Sequence, residues 1–263
     1  MTKIFSILLI LFGLASGKRG NRTPGRRQSP ISLTSTCSND GNFVEGDASG
    51  NSGYRLGHGY QIPFTAPVEI TDRTVSVKIP PEVSDQALLH SLGPMPYKLV
   101  EFHFHWGITD DIGSEHTIDE QQLPLELHLV HLRADLKDVA EGKREPRGLA
   151  VIGILYHLAN TSSPAWHGIS QALQCLQGGR RDCEVDMEGL GALLPHDGRI
   201  CRYDGSLTTP PYSETVLWHV FTTTAPITRT PLTLLRSLGI VEETFRQVQP
   251  FNGRSIQLAN PDF

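Results

Sequence analysis

Residues 97–106 read YKLVEFHFHW, and the alternation in the second half of this run narrows the possible folds more than any other feature of the chain. In a strand, successive side chains face opposite sides of the sheet. Glu101, His103 and His105 therefore share one face, and Phe102, Phe104 and Trp106 the other. One face suits a dry core and the other suits polar chemistry. The two histidines can offer two imidazoles to one ion, but a catalytic zinc needs a third protein ligand.

A third candidate lies in LPLELHLVHLR (residues 123–133). Here Leu125, Leu127 and Leu129 face one way, and Glu126, His128 and Val130 face the other. If the two strands are neighbours, His103, His105 and His128 converge from a rigid sheet and leave zinc's fourth position for water. Glu101 and Glu126 lie on the same faces as these imidazoles, where carboxylates fix the tautomer and direction of a ligand ring. The same histidines would also serve as satisfied polar residues of a half-exposed sheet.

Further alternating or apolar runs occur at RTVSVKI, GLAVIGILYHL and TVLWHVFTTTAPI, punctuated by Pro, Gly and Asp. A helix is predicted over Pro164 to Leu176 with Ser163 as its cap, and loop from Cys37 to Gly59. A chain of 263 residues can form one large domain around a substantial core. The net charge of −5 gives no footprint for nucleic acid or an anionic membrane.

Lys3, the apolar run Ile4 to Leu14, and Ala15, Ser16 and Gly17 follow the order of a secretory signal peptide and are too short to span a bilayer. The expected organisation is a signal over 1–17, a basic flexible leader over 18–27 and a folded domain over 28–263. Asn21 and Asn160 head Asn-x-Ser/Thr triplets, candidate glycosylation sites in a secreted, extracellular protein. Cys37, Cys175, Cys183 and Cys201 allow three pairings in an oxidising compartment, and the spacing does not choose among them. The ending SIQLANPDF has no hydrophobic tail, so no stable membrane anchor is expected. A monomer is the expected oligomeric state.

The blocks QSPI (28–31), EFHFHWG (101–107), GSEHTID (113–119), PLELHLVH (124–131), GLAVIGI (148–154), YDGSLTTPP (203–211), VLW (216–218) and QPFNGR (249–254) resemble the α-carbonic anhydrase family in order and approximate spacing. The resemblance implies a mainly β single domain around a large twisted, mostly antiparallel central sheet with short peripheral helices. It also implies a zinc enzyme, a carbonate dehydratase, that hydrates carbon dioxide reversibly to bicarbonate and a proton by zinc-bound hydroxide. Carried over residue by residue, His103, His105 and His128 are the Zn2+ ligands, with Glu101 and Glu126 behind them. Thr208 orients the attacking oxygen and donates its own proton to Glu115. The substrate pocket falls on Val130, Val151, Leu207, Thr209, Val216 and Trp218.

The chain also departs from the family. Glu101 stands where the family usually has Gln. Counting back from His103 without gaps, the proton-shuttle position falls on Arg73, which cannot release a proton near neutral pH. His58 resembles the shuttle's local context but requires a large insertion before the strand. Thr71 and Ser76 replace the usual asparagines that order water. Two cysteines that often bridge extracellular members are absent, and Arg26, Arg27 and Tyr212 occupy those neighbourhoods. An alternative reading is a secreted binding or matrix protein of the same fold with little catalysis.

Overall fold

The computed structural model describes residues 25–37, 43–44, 54–195, 198–240 and 244–259. The expected signal peptide, most of the leader and Asn21 lie outside the described residues. Ten strands frame the site: β1 (Phe64–Ile70), β2 (Val75–Lys78), β3 (Tyr97–Trp106), β4 (Leu125–Arg133), β5 (Leu149–Leu158), β6 (Glu184–Met187), β7 (Ile200–Gly205), β8 (Val216–Phe221), β9 (Ala225–Ile227) and β10 (Ile256–Ala259). The longer helices are α1 (Ala165–Gln177) and α2 (Arg229–Ser237).

Among the described residues, thirteen strands join in one mixed sheet whose main path runs β6-β1-β2-β3-β4-β5-β8-β7-β10. Most neighbours are antiparallel, but β5 pairs with β8 in parallel. β3 and β4 are adjacent, with His103 opposite His128 and His105 opposite Glu126.

The alternation read from the sequence becomes two cores, one on each face of the sheet. Phe102, Phe104, Trp106, Leu125, Leu127 and Leu129 lie with Trp166 and Ile169 of α1 and Leu232 and Leu235 of α2 in the larger cluster. Each such side chain, fully buried, contributes about 1.5–3 kcal/mol. Val130, Val151, Tyr203, Val216 and Trp218 belong to the smaller cluster on the opposite face. The polar face of β3 and β4 lies on that second side.

Several local expectations change in detail. TVLWHVFTTTAPI divides into β8 and β9, which pair with different stretches of β5. Short extended pairs, Phe43–Val44 and Arg55–Leu56, interrupt the predicted loop. The end of the leader is held, because the Arg27 N–H donates to Glu214 Oε1 at 2.7 Å and Asn252 Nδ2 donates to the Arg26 carbonyl at 2.9 Å. Cys37 bonds to Cys201 and Cys175 to Cys183. The first bridge spans 164 residues and ties the N-terminal segment to β7. Asn160 is exposed.

Candidate metal centre and active-site cavity

Each imidazole of the triad is held by its far nitrogen. His105 Nδ1 donates to the Thr244 carbonyl at 2.8 Å, and His128 Nε2 donates to Glu126 Oε1 at 2.7 Å. His103 Nδ1 lies 3.5 Å from Glu101 Oε1. These partners leave Nε2 of His103, Nε2 of His105 and Nδ1 of His128 facing one another. One ligand atom from each residue falls within 4.8 Å of the others. His105 Nε2 and His128 Nδ1 are 2.9 Å apart, a distance at which two lone pairs repel unless a proton or cation lies between them.

Burial favours neutral rings, as metal ligation requires. It takes His128 down to about 4 despite the opposing charge of Glu126, and it takes His105 well below the usual range with help from His128 and His103. Zinc fits this set: three imidazole nitrogen donors on adjacent strands, each with its other nitrogen turned to a carboxylate or carbonyl oxygen.

Glu126 anchors more than one ligand. It is fully buried and accepts from the N–H groups of Glu115 and His116 at 2.8 Å, and from His116 Nδ1 and His128 Nε2 at 2.7 Å. Burial alone would raise its pKa, but His116 and His128 hold it well below the ordinary carboxylate value. Behind it, His116 Nε2 lies 2.7 Å from the Tyr203 hydroxyl, which lies 3.0 Å from Ser29 Oγ. His116, Glu126 and His128 also approach closely enough to suggest an ion site. Both nitrogens of His116 are already engaged, so this grouping is a hydrogen-bond network supporting the first. Gly153, opposite His128 on β5, makes room for it: a Cβ there would lie 3.0 Å from Glu126 Oε1.

Glu115 Oε1 accepts the Arg246 N–H at 2.8 Å and lies 3.6 Å from His105 Nδ1. Its Oε2 is buried without a close hydrogen-bond partner. Burial, and then the charge of Glu126, push Glu115 up to about 8, while the nearby Thr208 hydroxyl and Arg246 oppose the rise. Glu101 behaves differently, because it is half-exposed and paired with the Lys78 ammonium. Burial would raise it, but His103 and Lys78 together bring it down to about 2.

The triad opens into a cavity of about 790 Å³. Val130, Val151, Leu207 and Trp218 form apolar wall, with Thr208 and Thr209 beside them. Val216 does not line this cavity. It faces the same side of the sheet as Trp218 but is only 2% exposed, enclosed in the smaller core with Tyr203 and Leu149. Arg73, Thr71 and Ser76 line the ligand cavity, whereas His58 lines a separate one of about 520 Å³.

Sequence reasoning missed His116, Tyr203, Ser29, Thr244 and Arg246. The first three stand inside the blocks GSEHTID, YDGSLTTPP and QSPI, but only folding shows that they meet. Thr244 orients His105 through its backbone carbonyl, which leaves no residue-type signal, and Arg246 reaches Glu115 through its backbone N–H while its guanidinium meets partners more than 30 residues away in sequence.

A mixed β-sheet carrying three convergent imidazoles at the base of a partly apolar cavity defines a site able to hold a metal ion with a position left free for chemistry. The family model described as eukaryotic-type carbonic anhydrase matches residues 17–260, and the chain belongs to that family. It is 34% identical to human (Homo sapiens) carbonic anhydrase 7 over 202 residues, covering 72% of this chain and 76% of the relative. Mouse (Mus musculus) carbonic anhydrase 7 gives the same figures. A Caenorhabditis elegans protein provisionally named carbonic anhydrase 5 is 41% identical over 170 residues, covering 61% of this chain and 54% of the relative. In general the family depends on zinc and hydrates carbon dioxide. Two disulfides are compatible with an oxidising compartment, and no helix among the described residues is long and apolar enough to cross a membrane.

Proposed function

We propose that this chain is a secreted carbonic anhydrase, hydrating carbon dioxide reversibly with zinc held by His103, His105 and His128. The observation that carries the reading is the convergence of three imidazole nitrogens whose far nitrogens are all occupied. A zinc ion there would supply the field that lowers the pKa of water to about 7.

The chain's own residues provide the rest. Glu101, Thr244 and Glu126 fix ring direction, so the three donors are set before an ion arrives. Thr208 accepts a hydrogen bond from the attacking oxygen and donates a hydrogen bond from its own hydroxyl to Glu115, which aims a lone pair at carbon. Carbon dioxide has no net dipole, and Val130, Val151, Leu207 and Trp218 offer it an apolar wall beside the polar donors. Arg73 stays protonated near neutral pH, and among the described residues the cavity's histidines are those of the triad. Proton export then falls to diffusible bases and limits turnover in dilute buffer.

Isotopic oxygen exchange between bicarbonate and water, read by mass spectrometry, tests the chemical step without needing fast proton export. Exchange that follows zinc occupancy and disappears in His103→Ala supports the reading. Full zinc occupancy with no exchange would overturn it and leave a binding protein on the same fold.

A further inference from the structure

Tyr212 stands at a junction whose chemistry the metal centre does not use. The turn after β7 carries Thr208 and closes through the Leu207 N–H donating to the Ser213 carbonyl and the Tyr212 N–H donating to the Thr209 carbonyl, both at 2.9 Å. Tyr212 has a positive φ of 59°, which turns the chain back on itself. Its ring lies under the Arg246 guanidinium, 3.9 Å from its central carbon, and both residues line the ligand cavity.

Arg246 belongs to a segment that grips the other half of the site. The Thr244 carbonyl receives His105 Nδ1–H at 2.8 Å, and the Arg246 N–H donates to Glu115 Oε1 at 2.8 Å. The same guanidinium donates through Nη1 to Gln28 Oε1 at 3.0 Å and to the Ser29 carbonyl at 2.7 Å. Gln28 Nε2 in turn donates to the Tyr212 carbonyl at 3.3 Å. Three segments distant in sequence therefore meet on one cation.

We infer that Tyr212 is a positioning residue: stacked beneath Arg246, it clamps the Thr208 turn to the segment that holds His105 and Glu115, so that the Thr208 hydroxyl faces Glu115. The inference rests on the proposed carbon dioxide chemistry only for its catalytic consequence. The turn's own two hydrogen bonds do not reach the segment of Glu115; the Gln28 amide and the Arg246–Tyr212 stack make that link. A cation over a ring holds without needing the tyrosine hydroxyl.

The test is amide hydrogen exchange by NMR on the zinc-loaded full chain, comparing wild type, Tyr212→Leu and Tyr212→Phe, with carbon dioxide hydration and zinc content measured on each. In Tyr212→Leu the Arg246 and Tyr212 amides exchange about tenfold faster, the Phe102 and Leu129 amides do not change, and hydration falls about tenfold at unchanged zinc content. Tyr212→Phe restores protection, since the ring and not the hydroxyl carries the contact. Wild-type exchange in Tyr212→Leu, or exchange in Tyr212→Phe as fast as in Tyr212→Leu, overturns the clamp. Faster exchange in Tyr212→Leu with undiminished hydration overturns the positioning role. If wild type hydrates no carbon dioxide, the proposed function fails while the exchange rates still decide the clamp.

Discussion

Glu101 and Glu126 support neighbouring ligands with opposite degrees of commitment. Glu126 is fully buried and engages four donors, whereas Glu101 is half-exposed and shared with Lys78. Glu126→Gln is therefore expected to weaken zinc binding by about 10–100-fold, and Glu101→Gln by less than about 10-fold, because an amide oxygen still accepts from His103. Competition with a chelator checks both, and equal losses would contradict the difference in burial. Thr208→Ala is expected to lower kcat/KM by roughly 100-fold with zinc content intact, since orientation and not binding is removed. At Arg73, added imidazole should raise turnover in dilute buffer strongly, and Arg73→His should remove most of that dependence.

At the scale of strands, the period of two was enough to assign faces. The HxH run and LPLELHLVH placed the triad on one side and the Phe/Leu set on the other, and β3 and β4 fold in that way. Alternation gives a face but no depth, which is why Val216 reads as cavity wall and folds as core. It also cannot show that His116 and Tyr203, 87 residues apart, share a proton-bearing contact behind Glu126. Cysteine pairing was equally hidden, because it depends on β7 passing the N-terminal segment. Replacing Cys37 and Cys201 together with serine is expected to cost about 2–5 kcal/mol, while the Cys175–Cys183 pair, closing a short loop, costs less. Urea unfolding of the two double variants measures the difference, and equal losses would contradict it.

Across the whole molecule, buried histidines make stability depend on pH. Burial takes His131 down to about 3 from 6.5, outweighing its backbone hydrogen bonds, and takes His219 well below its ordinary value with help from Arg202. The folded chain keeps these rings neutral where the unfolded chain protonates them, so the unfolded state binds more protons below pH 6.5. Their contribution is fully present above that pH and is lost progressively as pH falls toward 3, whereas Glu115, raised from 4.5 to about 8, acts in the opposite direction between those two values. Glu101, lowered from 4.5 to about 2, adds loss in the same direction as pH falls below 4.5. Thermal unfolding midpoints should fall steadily below pH 4.5, where Glu115 no longer opposes the histidines, and a midpoint constant from there to pH 3 would contradict neutral burial.

The most direct measurement is stopped-flow carbon dioxide hydration by the zinc-loaded chain, the chelator-stripped chain, the same chain reloaded with zinc, and His103→Ala. Activity that is lost on stripping, restored on reloading and absent from His103→Ala is the expected result. Hydration that survives stripping, or that His103→Ala retains, would contradict a zinc centre built on His103, His105 and His128.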